Sequence, residues 1–217
     1  MFNKIITALA PYDAKLVAVS KTKSEEDIMR LYNMGQRIFG ENRVQELVAK
    51  AANLPKDIQW HEIGHLQTNK VKYIAPFIDT IHAVDSIKLL NEINKQAAKH
   101  DRVINCLLQF HIARETTKFG LDYEGASELL MFLKDNPMGN VRITGVMGMG
   151  TFTDDMDQVR EEFKTLKSIF DRLKINWFEN VDSFREISMG MSGDYPIALE
   201  EGATMVRIGT LLFGARY

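Results

Sequence analysis

Short apolar, β-branched runs alternate with helical patterns from one end of this chain to the other, and that alternation constrains the fold more than any other feature. The candidate strands are residues 16–19, 37–41, 58–63, 80–84, 103–110, 141–147, 186–189 and 204–208. Runs this short and this apolar fit strands buried on both faces. Between them lie helical stripes: Ile28, Leu31 and Met34; Val44, Leu47, Val48 and Ala51; Leu89, Leu90, Ile93 and Ala97. Further on come Ala126, Leu129, Leu130 and Leu133, then Met156, Val159, Phe163, Leu166, Ile169 and Phe170. Boundary residues agree with these stripes. Ser24 with Asp27 forms a capping box, Gly35 fits a C′ position, and Asn42, Ser86, Asp122 and Asp194 are candidate N-caps. A helix over 68–75 is expected to end at Pro76. Parallel strands need crossover connections, so strand and helix in strict alternation predict a parallel sheet.

Eight such units in 217 residues fit one α/β domain spanning 1–217, a compact (β/α)8 TIM barrel with its working face on the loops after the strands. An open doubly wound sheet is the rival architecture. A leading helix over residues 2–9 would cap the bottom of the barrel or replace its eighth outer helix. Composition narrows the function classes. A net charge of −2 gives no electrostatic footprint for nucleic acid or an anionic membrane. The uncharged apolar runs fall short of a bilayer span, and the N-terminus lacks the apolar core and cleavage site of a signal peptide. Cys106 is the single cysteine, sits in an apolar run and reads as a core residue. A cytoplasmic protein is expected.

Chemistry-bearing residues gather where strands are expected to end. Lys21 follows the first strand in Ser20-Lys21-Thr22, a position at which parallel α/β proteins build active sites. Taken alone it also fits a solvated loop lysine, as do Lys15 and Lys23. His61-Glu62-Ile63-Gly64-His65 matches the H-E-x-x-H pattern of zinc peptidases, but that chemistry needs a helix. The segment alternates like a strand and contains Gly64, so no metal is assigned to it. His61 reads as structural and His65 as a pocket residue at a strand exit. Met147-Gly148-Met149-Gly150 lacks the spacing of a dinucleotide loop, and its methionines fit a barrel rim soft enough to line a flat apolar ligand. The segment 188–194, with Ser192, and the exit Gly209-Thr210 supply hydroxyls and unobstructed backbone N–H groups after strands seven and eight. Phosphate sites of (β/α)8 barrels form there. Arg207 lies inside an otherwise apolar strand, and an inward guanidinium requires a partner such as an acceptor nitrogen on a bound ring.

Several blocks together resemble the pyridoxal 5′-phosphate (PLP) homeostasis proteins, single-domain barrels related to the N-terminal domain of alanine racemase. They are Val17-Ala18-Val19-Ser20-Lys21, Phe39-Gly40-Glu41-Asn42, Trp60-His61-Glu62-Ile63-Gly64-His65, Ser188-Met189-Gly190-Met191-Ser192 and Met205-Val206-Arg207-Ile208-Gly209-Thr210. The likeness implies that Lys21 forms an imine with the cofactor aldehyde. It implies that Ser192, Gly209 and Thr210 hold the phosphate, with Gly193 beside them, that Arg207 meets the pyridine nitrogen, and that Asn42 faces the cofactor. It also implies a role in holding and delivering PLP, with PLP-dependent apo-enzymes as recipients and no catalytic residues; a monomer is expected. A low-activity PLP-dependent racemase or lyase is the alternative. His111 and Met149 depart from the expected asparagine and threonine. Racemisation in the related enzymes also draws on a tyrosine from a second domain, and Tyr217, directly after the eighth strand, is a poor substitute.

Overall fold

The computed structural model describes residues 1–114 and 119–214; Tyr217 lies outside them. Within the described residues, β1 (Lys15–Val19), β2 (Ile38–Glu41), β3 (Gln59–Glu62), β4 (Thr80–Val84), β5 (Ile104–Phe110), β6 (Val141–Gly148), β7 (Glu186–Ser188) and β8 (Met205–Ile208) form a closed barrel in sequential order. All neighbours are parallel, and β8 closes on β1 through the pairs Lys15↔Met205 to Ala18↔Ile208. Closure rules out the open sheet and gives the (β/α)8 barrel that the alternation predicts.

The helices are α1 (Phe2–Leu9), α2 (Glu25–Asn33), α3 (Val44–Asn53), α4 (Val71–Ile74), α5 (Ile87–Ala98), α6 (Tyr123–Asp135), α7 (Met156–Trp177), α8 (Tyr195–Glu200) and α9 (Thr210–Phe213). Several caps lie where the sequence places them. Ser24 accepts from the Asp27 N–H, Ser86 from Leu89 and Asp122 from Gly125, each meeting a donor left over in a first turn. Gly35 ends α2 with φ +101. Three details differ. α3 starts one residue late with Arg43 as its cap, which releases Asn42 from that role. The segment 68–75 splits into a 3-10 turn (Thr68–Lys70) and α4. Met34 is exposed, because α2 has already ended. α7 is capped by Asp155, whose side chain accepts from the Gln158 N–H, a cap the helical stripe alone does not single out.

Outward-facing strand residues such as Leu16, Phe39, Trp60, Ile81 and Val206 pack with Ile28, Leu47, Ile93, Phe163 and the other helix faces into one apolar layer. α1 adds Phe2, Ile5 and Leu9 to it. Burying a side chain of this size stabilises the fold by about 1.5–3 kcal/mol, so this layer carries most of the hydrophobic driving force. The opposite face of the strands points into the barrel. A Cβ built on Gly40 would meet Val17 and Ile63, which fixes these three as inward residues. The register then turns His61 inward beside Gly40, Thr80 beside His61, and Arg207 beside Val17. The barrel interior is therefore unusually polar, with His61, His82, Gln109, Ser188 and Arg207 all buried. No described helix is long and apolar enough to cross a membrane.

Candidate functional site

The inward positions of β1 continue past the strand end to Lys21, and those of β8 reach Arg207 and Gly209. Both lines of residues meet at a cavity of about 710 Å³ over the C-terminal mouth of the barrel. Lys21, Asn42, Ser192, Gly193, Arg207, Gly209 and Thr210 all line it, so the fold gathers residues from strand exits nearly 190 positions apart. Volumes of this order suit a small ligand.

The loop that presents Lys21 is braced from outside the barrel. Ser20, fully buried, donates to Glu41 Oε1 at 2.6 Å. Lys50 Nζ donates to the Ser20 carbonyl at 2.8 Å, to Glu41 at 2.8 Å and to Glu46 at 2.6 Å. Glu46 also accepts from the Thr22 N–H at 2.6 Å, where the chain turns through a left-handed φ of 65. One cluster of buried charge thus grips the residues on both sides of Lys21. Burial raises the Glu41 carboxyl, and the Lys50 and Ser20 hydrogen bonds oppose that rise. Removing one member of such a cluster leaves a buried charge without its partner. Lys23 does not fit a purely solvated role: its Nζ donates to the carbonyls of Phe213 and Gly214, behind α9. Lys15 is likewise engaged, paired with Glu186.

On the other side, Gly190 takes φ +88 and turns the chain out of β7; a Cβ there would lie 2.5 Å from that of Ala198. The Asp194 side chain accepts from the Met191 N–H and makes no cap bond to α8. That bond closes the Met191–Asp194 loop, on which Ser192 and Gly193 sit. Burial raises the Asp194 carboxyl, against the pull of that N–H and of Arg207. Arg207 is buried and donates to Ser188 Oγ at 2.6 Å and to the Gly148 carbonyl at 3.0 Å. Burial pushes its guanidinium down to about 10, with Asp194 opposing, so it remains a cation at neutral pH.

The cavity wall contains residues that strand and helix patterns alone do not single out. Gln109, at the end of β5, lines it and donates to the Phe119 carbonyl at 3.2 Å. Phe119 stacks on His65 with ring centroids 4.2 Å apart. Glu162 of α7 accepts from the Thr151 N–H, the Thr151 hydroxyl and the Arg114 N–H, tying the exits of β5 and β6 together. Met149 lines the wall, whereas His111 is not among its lining residues. His61 and His65, the two histidines of the H-E-x-x-H string, belong to opposite mouths of the barrel. That separation follows from the strand geometry read in the sequence.

A closed (β/α)8 barrel with a lysine after β1, an inward arginine on β8 and glycine-hydroxyl exits after β7 and β8 is the architecture of a binder of small phosphorylated ligands. Residues 2–217 match the family model "Alanine racemase, N-terminal domain". The chain is 42% identical over 204 residues to the "Pyridoxal phosphate homeostasis protein" of Aquifex aeolicus (strain VF5), covering 94% of this chain and 87% of that one. PipY of Synechococcus elongatus PCC7942, solved without PLP, superposes with a TM-score of 0.89 at 34% identity, covering 98% of each chain. PipY solved with PLP bound gives 0.86 at 33% identity, covering 99% of this chain and 100% of that one. The chain belongs to the alanine racemase N-terminal domain family, among its pyridoxal phosphate homeostasis proteins.

Proposed function

We propose that this chain binds PLP in the C-terminal cavity, with Lys21 as the amine that takes up the cofactor's aldehyde, and that it serves intracellular PLP homeostasis by holding and delivering the cofactor rather than by turning over amino acids. The observation that carries this reading is the convergence of Lys21 and Arg207 on one cavity from adjacent strands β1 and β8. PLP supplies a reactive aldehyde and an electron-accepting ring when bound. The remaining chemistry belongs to the chain's residues. An imine-forming lysine attacks in its neutral form. An arginine does not give up its proton at neutral pH, so Arg207 can only donate to a ring nitrogen and keeps that nitrogen unprotonated. A ring so held is a weak electron sink, which favours keeping the cofactor over carbanion chemistry. Ser192, Gly193, Gly209 and Thr210 offer hydroxyls and N–H groups to a phosphate, and Asn42 lines the wall between Lys21 and His65.

In this reading residues 1–217 act as one domain, a cytoplasmic monomer whose recipients are PLP-dependent apo-enzymes. The likeness to the Aquifex relative and to PLP-bound PipY supports the ligand. The deciding experiment is borohydride reduction of the PLP-loaded chain, digestion and mass spectrometry. The cofactor mass is expected on the Lys21 peptide; its appearance elsewhere, or nowhere, overturns the assignment. Brisk exchange of amino-acid α-protons for deuterium by the loaded protein would replace the carrier reading with a racemase or lyase.

A further inference from the structure

The centre of a (β/α)8 barrel is ordinarily filled with branched apolar side chains. Here it holds a file of polar ones. The Arg207 guanidinium donates to Ser188 Oγ at 2.6 Å, Ser188 Oγ lies 3.0 Å from His82 Nδ1, and His82 Nε2 lies 2.8 Å from His61 Nδ1. His61 Nε2 lies 3.5 Å from Asp79 Oδ2. Ser188 and His82 are fully buried, and His61 and Arg207 nearly so. The file begins at Arg207 in the C-terminal cavity and ends at Asp79 and His61 in a second cavity, of about 230 Å³, at the N-terminal mouth.

With both imidazoles neutral, proton counting gives this file one direction. Arginine only donates, so Ser188 Oγ accepts from it and turns its own proton to His82 Nδ1. His82, held neutral by burial and by the nearby Arg207 guanidinium, then carries its proton on Nε2 and donates to His61 Nδ1. A neutral His61 then carries its proton on Nε2, facing the Asp79 carboxylate. The reverse order would give Ser188 two donors and no use for its proton there, and would set a bare imidazole nitrogen against a carboxylate. Burial raises the Asp79 carboxyl, but hydrogen bonds from His61 and Thr80 outweigh it and hold the group down at about 2, so the acceptor end stays anionic.

We propose that Ser188, His82, His61 and Asp79 are positioning residues for Arg207, a one-directional hydrogen-bond relay through the barrel that aims the guanidinium in the C-terminal cavity from an anchor at the opposite mouth. The cofactor consequence rests on the PLP reading above; the relay itself does not. A buried hydrogen-bonded network such as Arg207–Ser188–His82–His61 holds one arrangement, and loss of one joint releases the rest.

The experiment has a ligand-free arm and a PLP arm. In the ligand-free chain, long-range ¹⁵N–¹H correlation is expected to show neutral His61 and His82, each with a protonated Nε2 and a bare Nδ1. A charged ring or the opposite tautomer at either histidine overturns the relay, and this arm needs no variant to fold. Asp79→Asn is expected to shift the His82 ring signals and the Arg207 Nε–H; wild-type signals at both overturn it. In the PLP arm, Ser188→Ala is expected to weaken PLP binding about tenfold, roughly the worth of one hydrogen bond to a charged group. It is also expected to move the absorbance maximum of the bound cofactor, while Ser188→Thr restores both. Unchanged PLP affinity and spectrum in a folded Ser188→Ala chain overturn the positioning role even where the tautomers agree. Failure of the wild-type chain to bind PLP instead overturns the functional reading and leaves the ligand-free arm to decide the relay.

Discussion

At the N-terminal mouth of the barrel, Lys15 of β1 is paired with Glu186 of β7, whose second oxygen accepts from Thr204 at 2.9 Å. At the C-terminal mouth the same two strands deliver Lys21 and the Met191–Asp194 loop to a cavity of about 710 Å³, against about 230 Å³ below. Lys15 and Lys21 lie on the same inward face of one strand line, six residues apart. Residue type therefore does not mark the site; the end of the strand does. The lower lining is mostly side chains of the strands themselves, and its charges can answer one another across the barrel. The upper lining is built from loops, braced from outside by the Lys50–Glu41–Ser20 cluster and shaped by Gly64 and Gly190. A Cβ on Gly64 would lie 2.6 Å from the Asn42 carbonyl, so the exits of β2 and β3 close backbone to backbone only with glycine there.

The largest effect that separates the mouths is expected from a pair of lysine variants. Lys21→Ala should abolish the borohydride-fixed PLP adduct, and Lys15→Ala should retain it, as read by intact mass. Equal loss in both would erase the distinction between the two mouths. Next is Gly190→Val, which combines left-handed backbone strain with the contact at Ala198. It should cost about 3 kcal/mol in urea unfolding and lower PLP uptake.

Third is Glu62, at the upper end of β3, whose carboxyl burial pushes up to about 8, with the Gly64 N–H opposing and Glu41 reinforcing the rise. A carboxyl raised on folding binds its proton more tightly in the folded chain. Its contribution is complete below the unfolded value near 4.5 and is lost as pH rises through about 8. Glu62→Gln should therefore flatten the alkaline decline, being more stable than wild type near pH 9 (about 2 kcal/mol) and no more stable near pH 5, by urea melts. Glu186→Gln, at the lower mouth, should cost roughly 1 kcal/mol and leave PLP binding unchanged, because Lys15 is partly exposed and can turn to water. The smallest effect is expected from Phe152→Ser, at the upper rim, where the side chain is 96% exposed: less than about 0.5 kcal/mol in stability. A large loss of PLP affinity in that variant would extend the site onto the rim.

Much of the fold was legible before any coordinate. The caps at Ser24, Ser86 and Asp122, the turn at Gly35 and the faces of α5 and α6 follow from rules that act within one or two helical turns. The convergence of Lys21 with Arg207 and the glycine exits was legible through family-like blocks, once closure was assumed. Asn42 was misread as a cap because a polar residue before an apolar stripe satisfies the local pattern either way, and Asp194, which does hold the N-cap position of α8, directs its side chain elsewhere. Asn42 instead lines the cavity and Asp194 closes a loop on Met191. Lys15 and Lys23 read as solvated because their partners, Glu186 and the Phe213 carbonyl, are more than 170 residues away in one case and 190 in the other. One signal pointed at the polar core: His61 and His82 each sit inside a buried strand, where an imidazole must find a partner.

The sequence by itself determined the order and kind of the elements and which end of each strand carries chemistry, because periodicity, caps and breakers are local energies read from neighbouring residues. Only the tertiary structure decided that the sheet closes, that β8 registers on β1, and that Asp79, His61, His82, Ser188 and Arg207 line up through the barrel. Those outcomes depend on register between strands distant in the chain, and a shift of one residue would turn each inward side chain out of the barrel.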